Sequence, residues 1–369
     1  MQIAHLDFGP RPVFLAPMED VSDPPFRLIC KRLGADLTYT EFVSAGGLVH
    51  DAASSHQKLD IYEIERPVAI QIFGGDETEL RGALPFVNDA RPDLVDVNFG
   101  CPVKKVVCHD GGAGILRNLP KMEALTAAVV ASTDRPVTVK TRLGWNDETI
   151  NVLDVVRMLE ANGVKAVTIH ARTRAQMYTG QARWSWLRRI RDEAGLTIPL
   201  IGNGDADSPE RVRAMFDETG VDGVMIGRAA IGNPWIFRDT KHFLATGERL
   251  PAPTWDERVA VMAEHAVLKC DWLGERKGVL EMRRIFGGYL KGFPGASQLR
   301  SRVVQAPTLD AVLDLLYNTS AADLTRLAAD APVVSVTKAV PAAIRFAHLP
   351  TPTRAAAAAP IPERAPAGA

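Results

Sequence analysis

A thiol at the end of a short hydrophobic run is the first residue in this sequence able to do chemistry. Leu94-Val95-Asp96-Val97-Asn98 is β-branched and apolar enough to be a strand. Phe99-Gly100-Cys101-Pro102 cannot extend it, because Gly frees the backbone for a turn and Pro removes a ladder donor. Asn98 and Cys101 then stand at the carboxyl end of a strand, where open α/β sheets and (β/α)8 barrels keep their chemistry. A thiol there can be a nucleophile, a redox group or a proton donor. Cys108 follows seven residues on, but no local pattern pairs the two. As a general acid, a thiol with a pKa above neutral holds its proton until carbanion character develops in a substrate. A buried structural cysteine is the alternative.

Other strand candidates end in equally reactive residues. Lys140 and Arg142 follow Val137–Thr141, and His170 and Arg172 end and follow Ala166–His170. Gly202-Asn203-Gly204-Asp205 and Gly227-Arg228 end two more. Barrels build phosphate sites from such late loops, because glycine lets backbone N–H groups approach the anion. Arg228 can add a bidentate contact. With Gln71 and Lys140 the set suits a phosphorylated planar cofactor. Lys140 beside the pyrimidine side of a flavin would stabilise negative charge on the reduced ring; otherwise it pairs with Glu41 or Asp96 at the barrel mouth. His170 is assigned a binding role. No G-x-G-x-x-G follows a strand, which argues against a Rossmann-type dinucleotide site. Cys30, Cys101, Cys108 and Cys270 have no C-x-x-C spacing and no accompanying His cluster, so no metal site is expected.

Eight strand candidates position these residues: Val13–Ala16, Leu37–Thr40, Val68–Phe73, Leu94–Asn98, Val137–Thr141, Ala166–His170, Pro199–Gly202 and Gly223–Ile226. The segments between them are long enough for a helix each. This regularity predicts an α/β fold, a (β/α)8 TIM barrel over residues 1–243, ahead of a doubly wound sheet. Arg258–Cys270 and Leu309–Leu316 have amphipathic helical spacing, which predicts a small C-terminal helical domain over residues 253–328. Residues 332–369 turn to Ala and Pro and are expected to be a disordered tail.

A net charge of -1 excludes a bulk polycation, so nucleic-acid contacts need a local basic face. Two clusters offer one. Arg172, Arg174, Arg183, Arg188, Arg189 and Arg191 interleave with Trp184 and Trp186, and Arg283, Arg284, Lys291, Arg300 and Arg302 lie in the helical region. Few cysteines, no secretory start and no span-length apolar run predict a cytoplasmic protein without membrane contact.

Taken in order, Ala16-Pro17-Met18, Val21-Ser22-Asp23-Pro24-Pro25-Phe26-Arg27, Gln71-Ile72-Phe73-Gly74, Asp96–Pro102, Val139–Trp145, His170–Arg174, Gly202–Asp205 and Gly227-Arg228-Ala229 resemble the tRNA-dihydrouridine synthase family. Tyr289-Leu290-Lys291-Gly292 brings the bacterial B-type branch nearest, and the resemblance covers about residues 10 to 320. It implies an FMN-bearing barrel, NADPH as reductant, and hydride transfer from the flavin to C6 of a uracil in the tRNA D-loop. The general acid, protonating C5, falls on Cys101. Flavin contacts fall on Pro17, Met18, Glu19, Gln71, Lys140, His170, Asn203, Gly204, Asp205, Gly227 and Arg228, and a uracil contact on Asn98. Arg172, Arg283, Lys291 and Arg300, from the basic clusters, are the expected tRNA contacts. A monomer is expected. Two stretches depart from the pattern: Glu19-Asp20 stands where small residues are common, and Arg283-Arg284-Ile285 where a basic-plus-His pattern is common. The competing function is an FMN-dependent barrel oxidoreductase of a small pyrimidine or enone, which has no need of a basic helical domain.

Overall fold

The computed structural model describes residues 1–108 and 110–320. The end of the expected helical domain (321–328) and the Ala/Pro tail (332–369) lie outside the described residues. Eight parallel strands form the centre: β1 (Val13–Leu15), β2 (Thr38–Tyr39), β3 (Val68–Phe73), β4 (Leu94–Phe99), β5 (Val137–Arg142), β6 (Ala166–His170), β7 (Leu200–Asn203) and β8 (Gly223–Ile226). They pair in chain order from β2 to β8, and β8 pairs with β1. The ring closes where Phe14 bridges Leu37 and Leu15 N–H donates to Leu37 O at 3.0 Å. Helices cross between successive strands, as parallel pairing requires.

The two-residue period of each strand sorts its side chains into two sets. Val95, Val97 and Phe99 of β4, Val137 and Val139 of β5, and Val167 and Ile169 of β6 pack outward, in the core under the helices. The alternate residues face the barrel axis. At the amino ends this inner row is apolar, with Ala69, Leu94, Ala166 and Ile201 in one cluster. At the carboxyl ends it turns polar, with Asn98, Lys140, His170 and Asn203 around a cavity. An antiparallel hairpin, Gln2–Ile3 with Leu6–Asp7, seats the fully buried Ile3 in the apolar end. The hairpin is too short to leave a periodic signal in the sequence.

Beyond the barrel, helices α1 (Trp255–Leu273), α2 (Glu275–Tyr289), α3 (Ala296–Val303) and α4 (Leu309–Tyr317) enclose a second core that includes Trp255, Met262, Met282, Phe286, Leu299 and Leu316. Thr254 starts α1 with a capping box to Glu257. Gly278 lets α2 approach α1, since a Cβ there would lie 2.6 Å from Cys270 Cα. The hand-over between cores is abrupt: Trp235 packs with the helices, whereas Ile236 and Phe237 pack with the barrel. Buried polar pairs join the two. Lys269 of α1 salt-bridges Asp23, which also caps the helix Pro24–Arg32 by accepting from Phe26 N at 3.0 Å. Trp272 donates to Asp60 at 2.9 Å, and His265 stacks on Phe26. No helix among the described residues is long and apolar enough to cross a membrane.

Candidate active site

The polar end of the barrel encloses a cavity of about 390 Å³, within the usual range of ligand sites. Cys101 is on its wall, 7% exposed. The turn carrying it is held by Asn98, whose Oδ1 accepts from Gly100 N at 3.0 Å and Cys101 N at 2.8 Å. Asn98 Nδ2 in turn donates to Gln71 Oε1 at 2.8 Å, and Gln71 Nε2 donates to Asp96 at 2.5 Å. Asp96 lies fully buried one layer below, and burial raises its pKa to about 6. Arg142 braces the turn from β5, with Nε donating to Gly100 O at 2.7 Å and Nη1 to Thr173 O and Met177 O. Burial also raises the pKa of the Cys101 thiol, so it stays protonated at neutral pH.

The other walls are cationic. Lys140 makes no hydrogen bond or ion pair with any described residue. Burial, with Arg142 nearby, lowers its pKa to about 8. The expected alternative pairing with Glu41 or Asp96 is absent: Glu41 lies 3.6 Å from Lys58, and Asp96 takes its bonds from Gln71 and Thr138. His170 is held well below its ordinary pKa by burial first and then by Arg142, Lys140, Arg172 and Arg228, so it is a neutral imidazole. Arg228 lies 4.9 Å from the Tyr178 ring centroid, and Arg142 lies 5.5 Å from it.

The ends of β7 and β8 turn unengaged backbone amides toward the cavity. Among the described residues, no hydrogen bond uses the amides of Gly204, Asp205, Gly227 or Arg228. Gly204 has φ +114°, and a Cβ there would meet His170 Cδ2 at 2.9 Å. Asn203 secures the cradle by donating to Met225 O at 2.8 Å, and Trp184 Nε1 donates to Gly204 O at 2.9 Å. Free amides, a guanidinium and an unpaired ammonium around one cavity fit a planar cofactor with a phosphate.

Residues 14–324 match the family model for dihydrouridine synthase (Dus). The chain belongs to the dihydrouridine synthase family. It is 40% identical over 291 residues to tRNA-dihydrouridine synthase B of Pseudomonas putida, covering 79% of this chain and 86% of that one. It is 38% identical over 315 residues to tRNA-dihydrouridine synthase B of Xanthomonas axonopodis pv. citri, covering 85% and 94%. Histamine dehydrogenase from Rhizobium sp. 4-9 shares the fold at a TM-score of 0.50 and 13% identity, over 71% of this chain and 50% of that one.

Within this Dus chain, Pro17, Met18, Asn98, Cys101, Lys140, His170, Asn203, Gly204, Asp205, Gly227 and Arg228 share the cavity. Three expected site residues are placed elsewhere. Gln71 is fully buried beneath the wall and acts through Asn98. Glu19 turns away to Lys58 at 2.5 Å and lines a neighbouring 890 Å³ cavity that shares Phe42 and Cys101. Arg172 is 2% exposed and pinned to Asp205 at 2.8 Å, with bonds to Thr179 O and Gly180 O. It shapes the mouth from inside, which leaves its guanidinium no access to an RNA backbone.

The helical region divides as well. Arg283 is half-buried and donates to Ala306 O, while Lys291 and Arg300 are exposed and without ion pairs among the described residues. Tyr178 and Phe42 were missed, because both come from loops with no periodic signal. The bracing role of Arg142 was missed because it depends on the path of residues 173–177 over β5. The two unusual stretches of the sequence meet here: Asp20 and Arg284 form an ion pair of 2.5 Å across the two cores.

Proposed function

We propose that this protein is a tRNA-dihydrouridine synthase, reducing the C5–C6 double bond of a uridine in the tRNA D-loop, with FMN as its flavin and NADPH as reductant. One observation carries the reading. A buried thiol on a tightly held turn and an unpaired Lys140 line the same cavity, beside free amides suited to a phosphate, and burial pushes the thiol's pKa up. The flavin, when bound, would supply a hydride for C6 of the uracil. Cys101 supplies the proton at C5, and Asn98 and Arg142 hold its turn at the height of the inner row. Lys140 would stabilise negative charge on the cofactor ring, with His170 as a neutral hydrogen-bonding partner beside it. The β7 and β8 cradle, with Arg228, would take the phosphate. Because the thiol is recessed in the barrel mouth, the target base must leave the tRNA stack to reach it. Exposed Lys291 and Arg300 on the helical region suit the RNA backbone.

Single-turnover oxidation of the NADPH-reduced protein by unmodified tRNA tests this. The flavin should reoxidise anaerobically and dihydrouridine should appear. Cys101→Ala should slow that step by about 10²–10⁴-fold, the usual contribution of a general acid. The rate should be flat across neutral pH and fall as pH rises through the raised thiol pKa, because only the protonated thiol is an acid. A flavin that NADPH reduces but tRNA cannot reoxidise would remove the substrate assignment and leave the small-pyrimidine reading.

A further inference from the structure

Two kinds of ion pair tie the barrel to the helical region, and they differ in one property. Lys269 and Asp23 are 0% and 1% exposed, so no solute can reach the pair. Arg284 and Asp20 are 66% and 54% exposed, and their 2.5 Å contact is open to solvent on α2. Asp20 has φ +59° and is fixed at its own backbone, where its N–H donates to Glu41 Oε1 at 2.7 Å. The neighbouring acids are already used, since Lys58 holds Glu19 at 2.5 Å and approaches Glu41 at 3.6 Å. Asp20 therefore sits on a fixed backbone, and among the described residues its one salt-bridge partner is Arg284, an exposed side chain of the helical region, with Lys58 and Lys269 adding attraction at longer range.

We propose that Asp20 is an internal competitor for the RNA backbone: it holds Arg284 in the free protein and yields it to a phosphate when RNA docks. The proposal rests on the tRNA reading above. An exposed ion pair is weak and exchanges its partner at small cost, and a guanidinium binds phosphate in the same bidentate geometry as carboxylate. The buried Lys269–Asp23 pair keeps the two cores joined while the outer pair opens. Asp20 thus makes loose RNA contacts at Arg284 weaker, and only RNA that also engages other cations recovers the loss.

Direct binding of unmodified tRNA to the full-length protein tests this through a double-mutant cycle. Asp20→Asn should tighten binding by up to about five-fold, the upper range of a surface ion pair. The gain should vanish when Arg284→Ala is already present. It should persist beside Lys291→Ala, which removes a cation that Asp20 does not hold. An equal gain in the Arg284→Ala background would mean that Asp20 only repels RNA in general, and would overturn the proposal. No gain, or weaker binding, would overturn it too. A wild-type protein that binds no tRNA would overturn both this proposal and the functional reading, whereas binding that ignores Asp20 would overturn this one alone.

Discussion

Residues 172–191 and 283–302 are both rich in arginine, yet they differ in how many of those charges the fold pairs with acids. On the outer helix Ser185–Glu193, Arg188 pairs with Asp192 and Arg189 with Glu193, each at 2.8 Å. Arg183 pairs with Asp147, Arg191 with Asp222 and Arg172 with Asp205, while Arg174 lies 4.6 Å from the centroid of Trp145. In the helical region, Lys291, Arg300 and Arg302 have no ion pair among the described residues. Of the two basic clusters that the sequence offers, the first is mostly matched by acids of the fold and the second is not. A cation whose acids lie out of reach can meet a phosphate without first giving up a partner, and spacing at i+4 or a strand-end carboxylate decides that.

The largest effect should come from the deepest of the paired cations. Arg172→Met keeps the length of the stem but leaves Asp205 unpaired and strands the carbonyls of Thr179 and Gly180. Breaking a buried pair costs about 3–5 kcal/mol, and the 21% exposure of the Asp205 side chain puts this one at the lower end. Urea unfolding should show it. Asp205 is held below its ordinary pKa of 3.8; burial opposes this, and the Ala182 amide and Arg172 outweigh it. Its stabilising share is thus present above that value and lost as pH falls through the lowered one. Arg172→Met should reduce that acid sensitivity. A variant as stable as wild type would mean that Arg172 is spare, and the contrast between the regions would rest on exposed pairs alone.

Lys291→Ala and Arg300→Ala should each weaken tRNA binding a few-fold without changing stability. Each should lower the slope of log affinity against log salt by about 0.7–0.9, one phosphate contact's worth. The loss should be uniform across tRNA sequences, because backbone contacts carry no base information. Unchanged slopes would place the RNA on a different face.

The same contrast explains how far the sequence could be read. The eight strands were legible because each is a short apolar run ending in Gly, Pro or a polar residue, and the inner row followed from a period of two. Cys101, Lys140 and the β7 and β8 turns were legible as strand ends. What lay hidden was pairing across distance. Nothing near Gln71 shows that it supports Asn98 from one layer down, or that Arg172 reaches Asp205 across 33 positions. Glu19 reads as a cofactor-loop residue until Lys58, on another loop, draws it away. Local pattern reports which face a residue occupies, but not which charge the fold will bring to it.

The smallest effects test the outer helix itself. Removing Arg188 or Arg189 should leave stability close to that of the wild type, since these are exposed i,i+4 pairs. The more informative change is on the acid side. Asp192→Ala and Glu193→Ala together release two guanidiniums without adding a cation. If the face lies outside the RNA footprint, tRNA affinity at physiological salt should stay within error of wild type, because screening removes charges beyond about 8 Å. If affinity rises several-fold and the salt slope steepens, the RNA passes close to this helix and its acids are masking real contacts. The two regions would then differ in degree of neutralisation and not in purpose, and Lys291 and Arg300 would be only part of a longer path.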